Sequence, residues 1–364
     1  MQATGEMMVE KPKTGTDQDV QVSLSVREER TREEFKAYIE NEEARIFNDI
    51  DELYKSVSYE IKEENITPDN LGQPTVEIEA GKYENGAIAV YDSLFDSIKF
   101  YQRGYEIYLA MRKAEANGDS FAADSLKYEI RHIIGHELGH KLTGIAFLQR
   151  DPGYDYSFGD SRRRSESLSE LIGFYIAQKA TGKPTDSATI ADIMLKFIIT
   201  KAEGIKEFND RLLAQWPSMS QNDKLAQIKY INLHGSRTIY YDYGILGVAE
   251  TLKANPNISI AVLIRALLLE PEKLQGVNEY VLAISGTAAE LERRELQKTI
   301  VPDKTLRTVS QLLRRRKKEL WLQSKLSNEM LRKANELLNQ TQNSSGSGAA
   351  IEELDADIIK MKRD

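Results

Sequence analysis

The sequence predicts an α+β fold that is mostly α, with one small antiparallel sheet. Apolar residues recur at threes and fours through most of the chain, as they do on one face of a helix. Strict alternation, the mark of a half-buried strand, is confined to residues 76–91. Helix stop signals, Asn117-Gly118 and Gly182 followed by Pro184, punctuate the periodic segments. Across 364 residues, 41% apolar and 29% charged, the composition is that of a globular protein able to bury a sizeable core.

Residues 1–26 are polar and aperiodic and are expected to form a disordered tail. A helix is expected from Arg27 to Glu64, where Phe35, Ile39, Ile46, Ile50 and Leu53 fall at helical spacing among thirteen acids and seven bases. Thr67-Pro68-Asp69-Asn70 ends it. Val76, Ile78 and Ala80, then Ala87 to Tyr91 beyond an Asn85-Gly86 turn, are expected to pair as a short antiparallel hairpin. A helix from Ser93 to Ala116 stops at Asn117-Gly118, and Asp119 or Ser120 caps the next.

A Tyr-, Asp- and Gly-rich loop at residues 150–160 leads to a helix that closes at Gly182. Further helices are expected at Ala188 to Thr200, Lys206 to Gln215, Asn222 to Ile231, Tyr243 to Ala254 and Ile260 to Leu269. Pro302 to Asn339 reads as one long helix with ten bases and four acids. NQTQNSSGSGAA follows as a flexible linker to a short terminal helix. The expected division is therefore a tail at 1–26, a main domain at 27–300, a basic helix at 301–340, and a linker with a last helix at 341–364.

Composition excludes several functions. The chain has no cysteine, so thiolate metal ligands, disulfides and cysteine nucleophiles are ruled out, leaving imidazole and carboxylate as ligands. A net charge of -8 argues against a surface built to neutralise phosphates, and nucleic acid is not an expected partner. The opening residues lack a secretory pattern, and the longest apolar run, Ile258 to Glu270, is too short to span a bilayer. A soluble, cytoplasmic protein is the expectation.

Three of the four histidines, His132, His136 and His140, stand four apart on one expected helix, with Glu137 among them. Residues four apart sit one above the other, so His136 and His140 can share one ion. Glu137 is rotated by about 100 degrees and can reach a water beside that ion. His132, two turns before His140, is too far to share an ion with it and reads as an orienting, capping or packed residue, with a His132/His136 site as the alternative. Ile134, Leu138, Leu142 and Ile145 mark the inward face.

The stretch HELGH resembles the active-site helix of the zincin metallopeptidases, in which an HExxH motif binds catalytic zinc. The metzincin form of that pattern would place Gly at 143 and His at 146, where this chain has Thr143 and Ala146. The gluzincin form uses a Glu from a later helix and an acid four residues on. SESLSELIGFYIA matches it with Glu166 and Glu170. The resemblance implies Zn2+ held by His136, His140 and Glu166, Glu137 as general base, and Glu170 orienting an imidazole. Glu170 departs from the usual Asp there, and the exchanged assignment, Glu170 as ligand, keeps the same spacing.

The resemblance also implies a peptide or protein substrate laid along an edge strand near Ala87 to Tyr91, and an oxyanion-steadying residue for which His234 and Tyr241, within a cluster with Tyr240 and Tyr243, are candidates. A second reading comes from outside that resemblance. The basic Pro302 to Asn339 helix could serve a scaffold or assembly protein with a structural or vestigial metal site; it could fold back on the chain, self-associate, or pair with the acidic first helix.

Overall fold

A computed structural model describes residues 17–61, 71–79, 81, 87–150, 159–226, 238–254, 256–257, 259–269 and 309–339. The order of elements is α1 (Asp17–Ile61), β1 (Thr75–Glu79), β2 (Ala89–Asp92), β3 (Ser97–Tyr101), α2 (Gln102–Ala116), α3 (Ser120–Arg150), α4 (Gly159–Ala180), α5 (Ser187–Gln215), α6 (Thr238–Ala254), α7 (Ile260–Leu269) and α8 (Val309–Asn339). The fold is α+β and mostly α, as expected. No described helix is long and apolar enough to cross a membrane.

The sheet is mixed rather than antiparallel. Its order is β1-β3-β2, with β1 parallel and β2 antiparallel to the central β3. The expected hairpin partners therefore never meet. Ser97–Tyr101, expected to open a helix, inserts between them because Ile98 and Phe100 alternate and are fully buried. The tight connection is the turn at residues 93–96, where Asp96 takes φ +48°, and Asn85-Gly86 lies outside the described residues. β2 is left as an edge.

α1 crosses the sheet, with Phe35 edge-on to Phe100 at 5.7 Å between ring centroids. It begins ten residues before Arg27, so residues 17–26 are helical; residues 1–16 lie outside the described set. Once Phe35, Ile39 and Ile46 anchor the packed turns, each added residue costs little beyond the bond it makes. Two acids of α1 find bases on α3 and α4: Glu42 with Arg131 at 2.6 Å, Asp49 with Lys179 at 2.6 Å.

Asp119 caps α3, its carboxylate accepting from the Ala122 N–H at 3.0 Å. Gly182, at φ +66°, closes α4 in the left-handed conformation expected of it. α5 is one helix of 29 residues, not two. Gly204 does not break it, because the roughly 1 kcal/mol it costs is outweighed by burial of Ile198, Ala202 and Leu212 on either side. Residues 221–226 are helical, and the rest of the expected Asn222 to Ile231 helix lies outside the described residues. So do residues 341–364.

α8 runs along α5 and touches α6. Leu326, Met330, Ala334 and Leu337 enter the main core, and Leu320 joins Leu212 and Trp216 in a second cluster. α8 thus folds back on the chain through these residues.

Candidate metal centre

α3 and α4 form the most extensive helix pair of the fold, and glycine explains how closely they approach. A Cβ at Gly139 would lie 2.9 Å from Ser169 Cα, and one at Gly135 would lie 3.1 Å from Gly173 Cα. These bare positions face α4. With Ile134, Leu138 and Leu142 fully buried against Leu168, Leu171 and Ile172, the polar ridge His136–His140 is pressed against Glu166 and Glu170.

Three ligand atoms converge there. His136 Nε2 and His140 Nε2 stand 3.0 Å apart, and Glu166 Oε2 lies 3.6 Å from the first and 3.5 Å from the second. Ligands about 2.0–2.1 Å from a tetrahedral zinc are separated by about 3.3 Å, so one ion fits all three. These residues are the described His/Asp/Glu group with metal-holding geometry. Two imidazole Nε2 atoms and a carboxylate this close need a shared proton or a cation between them.

The rear of each ring is held. Glu170 Oε2 is 3.0 Å from His136 Nδ1 and accepts its proton, which leaves Nε2 as the ligand atom. His140 Nδ1 lies 3.2 Å from both Ser165 Oγ and Ser169 Oγ. Thr143 Oγ1 is 3.0 Å from Ser165 Oγ in turn. The serines escaped the sequence reading, yet a signal exists: Ser165-Glu166 and Ser169-Glu170 repeat a Ser-Glu pair one turn apart.

Burial alone would lower the His136 pKa, but Glu170, Glu166 and Glu137 raise it well above the usual imidazole value. Burial would raise Glu166, but His140 and His136 hold it well below the carboxylate range. Glu170 is treated alike, with burial overcome by His132 and His136.

Glu137 is buried beside the cluster, 7% exposed, and its Oε2 accepts the Tyr91 N–H at 2.7 Å. Ile88 C=O bonds Tyr101 N–H across the ladder, so by alternation Ala89 and Tyr91 turn their backbone groups to the open edge. A cleft of about 470 Å³ lies between that edge and the ligands. Tyr91 is clamped twice. Its hydroxyl donates to Asp96 at 3.0 Å, and the buried Lys141 Nζ holds Asp96 at 2.6 Å and the Gly72 carbonyl at 2.8 Å. α3 therefore fixes the edge strand from both sides of His140.

His132 takes no part in the ligand triangle; its Nε2 is 2.8 Å from Glu170 Oε2. His234 lies outside the described residues, as do the side chains of Tyr240, Tyr241 and Tyr243. Between those tyrosines the fully buried Asp242 meets Lys201 Nζ at 2.6 Å. Desolvation pushes the Asp242 carboxyl up to about 6, and Lys201 partly offsets it. The pair, which periodicity could not reveal, ties α6 to α5 next to the metal cluster.

Comparison of the chain with protein-family models, curated proteins and solved structures returns no match.

Proposed function

We propose that the chain is a zinc-dependent metallopeptidase with a zincin-like core of the gluzincin type. The observation that carries the reading is the triangle of His136 Nε2, His140 Nε2 and Glu166 Oε2, at 3.0, 3.5 and 3.6 Å, with the Glu137 carboxylate on the next helical position. Three protein ligands facing a cleft leave a coordination place for water or substrate, whereas a structural site closes with four. This favours an enzyme over the scaffold reading.

Zinc bound there would polarise a carbonyl and bring the pKa of a water to about 7. Glu137 accepts a proton from the attacking water and delivers it to the departing amine. The β2 edge offers the backbone groups of Ala89 and the carbonyl of Tyr91, whose N–H already bonds Glu137, to an extended peptide, lining its scissile bond up with the ligands. Glu170 keeps His136 in the binding tautomer, and Ser165 with Ser169 does the same for His140.

Glu137→Gln preserves shape and removes the base. Quenched-peptide turnover should fall by about 10²–10⁴-fold with zinc content unchanged. Undiminished cleavage by that variant rules the mechanism out.

A further inference from the structure

We propose that His132 is a positioning residue for the metal centre, acting through Glu170. The inference rests on the metal-site part of the reading above and needs no peptidase activity. Glu170 is one methylene longer than the Asp that usually orients such an imidazole, so its carboxylate has one more torsion to fix. Its Oε2 accepts the His136 Nδ1 proton at 3.0 Å, and His132 Nε2 approaches the same oxygen to 2.8 Å, off the line of the ring N–H. One oxygen thus accepts a hydrogen bond from His136 and is in close contact with the His132 ring one helical turn earlier.

The His132 ring is itself immobilised. It stacks on Phe174 at 4.1 Å and 24°, and Phe197 meets it edge-on at 6.2 Å. Gly173 gives it room, since a Cβ there would come within 2.9 Å of His132 Cδ2. A ring held this firmly restores the order that the longer acid gives up. The His136 ring plane is thereby set, and its Nε2 lone pair stays aimed at the shared centre.

The test is zinc affinity by competition with a chromogenic chelator for wild type, His132→Phe, Glu170→Gln and the double variant, with circular dichroism as a control of folding. Each single change should weaken zinc by about 10–100-fold. The double variant should bind no more weakly than the worse single one, because both act through one oxygen. His132→Asn, too short to reach Glu170, serves if the Phe variant does not fold. Wild-type affinity in His132→Phe, or losses that multiply in the double variant, overturns the proposal alone. A wild-type chain that takes up no zinc overturns the metal centre beneath it.

Discussion

Glu166 and Glu170 are the same residue type on one helix face, yet the fold gives them different work. Glu166 Oε2 faces both Nε2 atoms, while Glu170 lies behind His136 on its Nδ1 side. Glu166→Ala should therefore abolish stoichiometric zinc, and Glu170→Ala should leave zinc bound about 10–100-fold more weakly. Metal analysis of the two variants side by side checks the order; a reversed order assigns the ligand to Glu170. The spacing of His136, Glu137, His140 and Glu166 was legible in the sequence, because a helix converts a four-residue interval into a shared face. Tyr91 was not legible as a partner of Glu137, since it contributes a backbone N–H that every non-proline residue owns. Lys141 was missed for another reason. A lysine in an amphipathic helix ordinarily reads as solvated, and only the turn at Asp96 gives this buried ammonium a counter-charge.

Among the elements, the α3–α4 pair is the one on which the site depends. Gly139 costs α3 about 1 kcal/mol in helix propensity, and the return is the approach of Ser169, which sets Glu166 and Glu170 at reach of the imidazoles. Gly139→Ala should raise helix propensity and still lower stability by about 1–3 kcal/mol, because its Cβ would meet Ser169 Cα at 2.9 Å. Thermal melts would register the loss, and zinc affinity should fall with it as α4 is pushed outward. A more stable variant with intact affinity contradicts this packing. Helices were legible where apolar periodicity was long, as in α3 and α4. The sheet was not. Parallel pairing of Thr75 with Ser97 spans a connection that no turn motif announces, and Ser97–Tyr101 is too short to be told from the first turn of the helix that follows.

At the scale of the whole molecule, buried charge makes stability depend on pH in two opposite senses. Burial pushes the Glu43 carboxyl, on α1 beside Gln73, up to about 7 from an ordinary 4.5. The folded state then binds more protons than the unfolded one between those values. Its contribution is complete below about 4.5 and is lost as the pH climbs to about 7. Glu43→Gln should flatten that decline and raise stability at neutral pH by up to about 3 kcal/mol, as followed by urea titrations across the window. Glu170 and Glu166, held low, act the other way: their contribution is lost as the pH falls below the usual carboxylate range. The placement of α8 on α5 also belongs to this scale. Its amphipathic pattern foretold a buried face, but a pattern names no partner, and α5 inside the same chain takes the place that a second copy could have filled. One measurement bears most directly on the whole account: the metal content of the purified chain by mass spectrometry, before and after incubation with zinc. Close to one zinc per chain, removed by a chelator and restored on return of the ion, is the expected result. A chain that leaves purification without transition metal and refuses to take up zinc contradicts it.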